Sequence, residues 1–161
     1  MSNLENALKP EISVKQFTLS DLPRVNELEN ISFPIDAFRE STFIDYYHKH
    51  PDLFIVAESV NVILGYMLTY LVSVEKALVV SIAIDPNHRR KGVGRILSEY
   101  TFNRLKTSGV KEVELKVRIT NKEGQYFWSS LGFESNTIIP NYYKDGEQAL
   151  QMVRKLDTLM D

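Results

Sequence analysis

The sequence predicts a mixed α+β fold, an α/β arrangement of strands and helices around one sheet, and three observations carry that prediction. At 161 residues the chain is long enough to bury one substantial core and short enough for one domain. Its apolar pattern switches repeatedly between the alternation of half-buried strands and the wider spacing of amphipathic helices. An apolar run, Ala77 to Ile84, leads through a basic loop with two glycines into a helical pattern, making a strand–loop–helix unit in mid-chain.

The elements follow in order. Residues 1–10 read as a flexible leader, 11–157 as a single domain and 158–161 as a tail. Ile12 to Thr18 alternates apolar and polar, as a half-buried strand does. Ser20 or Asp21 is the expected N-cap of a helix with Pro23 in its first turn and Leu22, Val25, Leu28 and Ile31 along one side. After the break at Pro34 a second helix is predicted from Arg39 to His50, stopped by Pro51. Leu53–Glu58 and Val62–Val72 read as strands joined by a tight turn near Asn61. Ala77–Ile84 is apolar on both alternating faces, so it should lie centrally and be covered on both sides. A helix from near Gly92 carries Val93, Ile96, Leu97 and Tyr100 and ends near Ser108–Gly109. Val113, Leu115 and Val117 alternate with Glu114, Lys116 and Arg118, a strand with one wet face. Asn121 can cap a short helix bearing Phe127, Trp128 and Leu131. Residues 133–143 and 148–156 close the chain as two strands around Lys144–Asp145–Gly146.

The loop Asp85–Gly94 points to chemistry. Glycines let a backbone present its N–H groups to a ligand, and the first turn of a helix adds unpaired amides and a favourable dipole for anions. Arg89, Arg90 and Lys91 supply cations suited to phosphate oxygens. The expected ligand is a phosphorylated small molecule. With 19 basic and 21 acidic residues the net charge is −2, so the basic cluster is local and no broad field recruits nucleic acid. No apolar run approaches the ~20 residues of a membrane span, and the first ten residues lack the plan of a signal peptide. The absence of cysteine excludes disulfides and a cysteine nucleophile, and fits a cytoplasmic setting. His48 and His50, two apart, do not share a helix face, so no metal site is expected.

Three segments in order carry a family resemblance. RRKGVG (Arg89–Gly94) matches the arginine/glutamine-x-x-glycine-x-glycine/alanine signature of the Gcn5-related N-acetyltransferases. ITN followed by WSSLGF is similar to the asparagine-plus-"YExLGF" segment after their fifth strand. NYYKDGEQALQM resembles the ending of their protein N-terminal acetyltransferases. The chain looks most like the RimI-type enzymes and the archaeal and eukaryotic N-terminal acetyltransferase subunits, from about Ile12 to Leu156.

The resemblance implies the GNAT fold, a mostly antiparallel six- to seven-stranded sheet splayed between strands 4 and 5, with helices on both faces. It implies acetyl-coenzyme A as donor. The backbone of Ile82, Ala83 and Ile84 would meet the pantetheine arm, and residues Arg89 to Arg95, Val93 among them, the pyrophosphate. Asn121 and Trp128 would flank the thioester end. Phe33, Pro34 and Ile35, with Tyr142 and Tyr143, would line the acceptor side, the apolar Ile35 favouring Met or another apolar first residue. The acceptor would be a protein or peptide N-terminus, ribosomal proteins included, and the protein a monomer or homodimer. Small amines such as polyamines, lysine side chains, or a purely cofactor-binding role stand as alternatives.

Where relatives carry a catalytic glutamate, tyrosine and histidine, this chain has Lys116, Trp128 and Leu78. Glu114, Lys116 and Tyr142 are the replacement candidates. Glu114 would act as base, or pair with Lys116 or Arg118 on a solvated face; Lys116 would act only if burial lowers its pKa. Tyr142 or Tyr143 would bind the peptide or donate a proton. An α-amine with pKa near 8 is roughly one-tenth neutral at pH 7, against about 1 in 2,500 for lysine. Deprotonation thus costs about 1 kcal/mol for the first and about 4.5 for the second, which favours the α-amine when no strong base is present.

Overall fold

The computed structural model describes residues 11–156; the expected leader and tail lie outside them. The strands are β1 (Ser13–Gln16), β2 (Phe54–Ser59), β3 (Val62–Leu71), β4 (Lys76–Ile84), β5 (Glu112–Arg118), β6 (Glu134–Ile139) and β7 (Ala149–Lys155). The helices are α1 (Leu22–Ser32), α2 (Glu40–Lys49), α3 (Val93–Thr107) and α4 (Lys122–Ser130). One seven-stranded sheet runs in the order β1-β2-β3-β4-β5-β7-β6. All neighbours are antiparallel except β4 and β5.

Alternation along the strands builds a core on each face. Ile55, Met67, Val113, Leu115 and Val117 join Leu97, Phe102 and Leu105 of α3 and Trp128 of α4. Phe54, Val56, Tyr66 and Leu68 join Val25 and Leu28 of α1 and Phe43 of α2. Phe17 stacks on Phe54 with ring centroids 3.9 Å apart, closing the second core at the β1 end. No helix among the described residues is long and apolar enough to cross a membrane.

Three expectations are corrected. Asp21 is the N-cap residue of α1 but its side chain makes no capping bond; its carboxylate turns back to accept from the Thr18 backbone N–H at 2.9 Å and fixes the 3-10 turn Leu19–Asp21. Ile31 is half exposed, and Glu29 is buried in its place. A three-residue step falls about 60° short of a full turn, so a Leu22–Val25–Leu28–Ile31 row drifts off the buried face. The closing strands are shorter than expected, and Tyr142 and Tyr143 lie in the connection between them. Pro140 has no N–H for a ladder, and Asn141 takes a positive φ of 51°. Both tyrosine N–H groups then bond the Glu147 carbonyl at 3.2 Å.

Candidate functional site

β4 and β5 share only three register pairs, Lys76↔Glu112, Ala77↔Val113 and Leu78↔Glu114. Beyond Leu78 the strands part, while β5 stays paired to β7 through Arg118. The result is a wedge open along one edge of β4. A bulge at Val80, where Leu68 faces Ser81 and Thr69 faces Val79, adds one residue to β4. Before it, Ala77 and Val79 face the α3 core; after it, Ser81 and Ala83 face α1.

Asp85 donates its N–H to the Leu64 carbonyl at 2.7 Å. Alternation from that bond turns the main chain of Ala83 toward β3, and that of Ile82 and Ile84 into the wedge. Of the three residues expected along the pantetheine arm, Ile82 and Ile84 therefore present backbone groups there, and Ala83 fills the α1-side core.

The loop after β4 is held from α1. Asp85 accepts from the Asn87 N–H at 2.8 Å and from Arg24, which also reaches the Ile63 carbonyl. The Asn87 N–H holds the Asp85 carboxyl below its usual range; partial burial opposes the shift and Arg24 reinforces it. Gly92 stands at φ +83° as the N-cap of α3. Ile96 is the first helical residue to donate backward, to the Gly92 carbonyl, so the N–H groups of Val93, Gly94 and Arg95 have no helical partner. Gly94 has a different role from Gly92: a Cβ there would stand 3.1 Å from Phe127, so the glycine lets α3 approach α4. Arg89 turns toward α1, near the Ile84 carbonyl and the Ser32 hydroxyl, each at 3.4 Å. Arg90, at φ +63°, and Lys91 extend into solvent. Arg95 reaches Glu99 and Ser130.

This arrangement fits a coenzyme with a pyrophosphate and an amide-bearing arm: unpaired amides converge at one end of the wedge, and the free edge of β4 runs along it. Asn121 caps α4, its Oδ1 accepting from the Gly124 N–H at 2.9 Å. Trp128 packs against Phe133 and Phe127 in the α3-side core.

On the opposite face the β5 side chains Glu114, Lys116 and Arg118 line up toward α1 and α2. Glu114 is clamped between Lys76 and Lys116, each nitrogen 3.0 Å from a different carboxylate oxygen. Burial pushes its pKa up, but the hydrogen bonds from Lys76 and Lys116 outweigh that and hold the carboxyl below the usual range. Glu114 is thus an ion-paired carboxylate and a weak base, with Lys76 as a partner that the β5 alternation did not reveal. Lys116 lies 6.0 Å from the Tyr142 ring, so the three candidate catalytic side chains do assemble. Tyr143 is half-buried beneath its neighbour; burial first, then Tyr142, pushes its hydroxyl to about 12 although Arg118 opposes the shift. Tyr142 is the more exposed of the pair, at 47%. Phe33 packs against the α1-side core, and Ile35 is exposed beside it.

Two residues here escaped sequence reasoning. Glu29 is 1% exposed and accepts from Tyr66 Oη at 2.6 Å, Ser81 Oγ at 2.7 Å and the Phe38 N–H at 3.3 Å. Arg118 joins Asp36, Asp145 and Glu147. Their side-chain partners lie 27 to 82 residues away, and only the doubled carboxylates of the Asp145–Glu147 turn hinted at a nearby cation.

A family model described as the acetyltransferase (GNAT) family matches residues 22–133. An N-alpha-acetyltransferase of Sulfurisphaera tokodaii is 26% identical over 158 residues, covering 91% of this chain and 94% of that protein. A [ribosomal protein bS18]-alanine N-acetyltransferase of Salmonella typhimurium is 28% identical over 131 residues, covering 81% and 86%. The crystal structure of Ard1 from Thermoplasma volcanium superposes with a TM-score of 0.87 at 25% identity, over 91% of this chain and 98% of that one.

Proposed function

Because this chain belongs to the acetyltransferase (GNAT) family and is an acetyl-CoA-dependent N-acetyltransferase, we propose that its acceptor is the α-amine of a protein N-terminus, attacking the thioester directly within a ternary complex. The observation that carries this reading is the state of Glu114. With the Glu114 carboxylate held by two lysines where the wedge begins, the acceptor face offers no strong base among the described residues. An α-amine, roughly one-tenth neutral at pH 7, tolerates that; a lysine amine does not. The relatives named for α-amino or alanine N-terminal acetylation support the same acceptor class.

Acetyl-coenzyme A supplies the activated acetyl group as a thioester; the rest is the chain's work. The amides of Val93, Gly94 and Arg95 would hold the pyrophosphate, with Arg90 and Lys91 adding charge. The wedge-facing N–H groups of Ile82 and Ile84 are fixed donors for negative charge developing on the carbonyl oxygen. Phe33, Pro34 and Ile35 on one side, and Tyr142 and Tyr143 on the other, would hold the peptide's first residues. Tyr142 and Lys116 stand where a proton could be passed. With no cysteine in the chain, transfer through an acyl-cysteine is closed. The reading includes ribosomal proteins among the acceptors and a cytoplasmic setting.

The test is coenzyme A release from acetyl-CoA with peptides differing in their first residue, beside N-terminally blocked lysine peptides and spermidine. Free N-terminal peptides should be acetylated at least tenfold faster than either alternative. Faster turnover of spermidine or of blocked lysine peptides would sink the reading.

A further inference from the structure

We propose that Arg118 is a positioning residue for the acceptor, latching the α1–α2 connection to the β6–β7 connection so that the two sides of the acceptor entrance keep one spacing. The inference rests on the α-amine reading, which places the peptide between those connections.

Arg118 sits at the last position of β5, where the strand is paired to β7 but free of β4. It uses every part of its guanidinium. Nε and Nη2 donate to Asp36 Oδ2 at 3.1 and 2.7 Å. Nη1 donates to Asp145 Oδ2 at 2.9 Å and Glu147 Oε1 at 2.7 Å. One face of the group lies 4.2 Å from the centroid of the Tyr143 ring. Glu147 is itself anchored by the Thr120 backbone N–H at 3.0 Å, so the β6–β7 side is fixed to the chain just after β5.

The α1–α2 side has no such second anchor at Asp36, whose carboxylate bonds only Arg118 among the described side chains. Asp36 directly follows Ile35. The latch therefore stands between the apolar residue offered to the acceptor's first side chain and the tyrosine pair opposite.

An isolated surface ion pair contributes little. Arg118 differs because its side chain is only 19% exposed and because planarity lets one group bind two connections and stack on a ring at once. Asp145 and Glu147 are both held below the usual carboxyl range, first by a backbone N–H and by the Thr120 hydroxyl respectively, and then by Arg118. These two links are therefore ionic at neutral pH. A lysine at this position offers one point charge and no face, and cannot make the same three-way joint.

Asp36→Ala is the decisive variant, since Arg118 keeps Asp145 and Glu147 and the strand end stays neutralised. Steady-state kinetics should show the peptide KM rising about tenfold while kcat and the acetyl-CoA KM stay unchanged. Asp36→Asn, which keeps an acceptor oxygen but not its charge, should raise the peptide KM less than Asp36→Ala. Hydrogen exchange at residues 33–38 should quicken in Asp36→Ala. An unchanged peptide KM, or a loss that falls on kcat or on acetyl-CoA, overturns the latch. The exchange measurement uses no acceptor. Wild-type protein inactive on peptides would therefore remove the α-amine reading alone, and unchanged exchange in Asp36→Ala would remove the latch alone.

Discussion

Ser81 Oγ donates to Glu29 Oε1 at 2.7 Å, tying the strand just past its bulge to the middle of α1 across 52 residues of chain. Tyr66 and the Phe38 N–H complete the shell around that carboxylate. Glu29→Ala leaves all three donors without their acceptor and should cost about 3 kcal/mol or more. Tyr66→Phe, which leaves Ser81 in place, should cost about 1 kcal/mol. Urea midpoints give both numbers, and equal losses would mean that the carboxylate is not the centre of the network.

Glu114 gives a pH prediction whose sign is fixed. Its folded pKa is depressed, so its contribution to stability is present above the unfolded value near 4.3 and is lost as pH falls below that toward the folded value. Glu114→Gln should flatten the acid side of the stability–pH curve below about pH 4.5. It should leave the acid limb of the kcat/KM profile near neutrality in place. A limb that shifts toward higher pH would restore Glu114 as the general base.

At the coenzyme end the two glycines should fail in different ways. Gly92→Ala forces a side chain into φ +83° and should cost about 1 kcal/mol in stability. Gly94→Val meets Phe127 and pushes α3 from α4, so the Kd for coenzyme A by calorimetry should rise about tenfold. Unchanged affinity in a folded Gly94→Val protein would count against the loop as the pyrophosphate site.

Ile35 is 59% exposed beside the partly buried Phe33, a free apolar surface at the acceptor entrance. Ile35→Ser should lower kcat/KM for Met-initiated peptides about tenfold while sparing Ala-initiated ones. A parallel fall on both would make Ile35 a general packing residue.

Much of the site was legible from local pattern. The strand–loop–helix unit, the alternation of Glu114, Lys116 and Arg118, and the Asn121 cap each have a short-range signature, and each lies where that signature puts it. The parting of β4 from β5 had none; it was expected from family resemblance alone. Glu29 was hidden because Ile31 made the more apolar row, and nothing local marks a glutamate whose partners are 37 and 52 residues away. The clamp of Lys76 on Glu114 was hidden for a related reason, because it spans two strands that pair for only three residues. Sequence pattern reports which face a side chain takes; it does not report what waits on that face.

The extra residue at Val80 changes the parity of β4. A strand in strict alternation gives each core one set of side chains from end to end. Here the odd-numbered residues serve one core up to Val79 and the other from Ser81 onward. On the α3 side the even-numbered Ile82 and Ile84 take over from Ala77 and Val79. Deleting Val80 would restore the alternation with Val79 and Ser81 each on its present face, whereas regular pairing with all nine residues kept would send Ser81 to the α3 core and leave Glu29 without one of its donors.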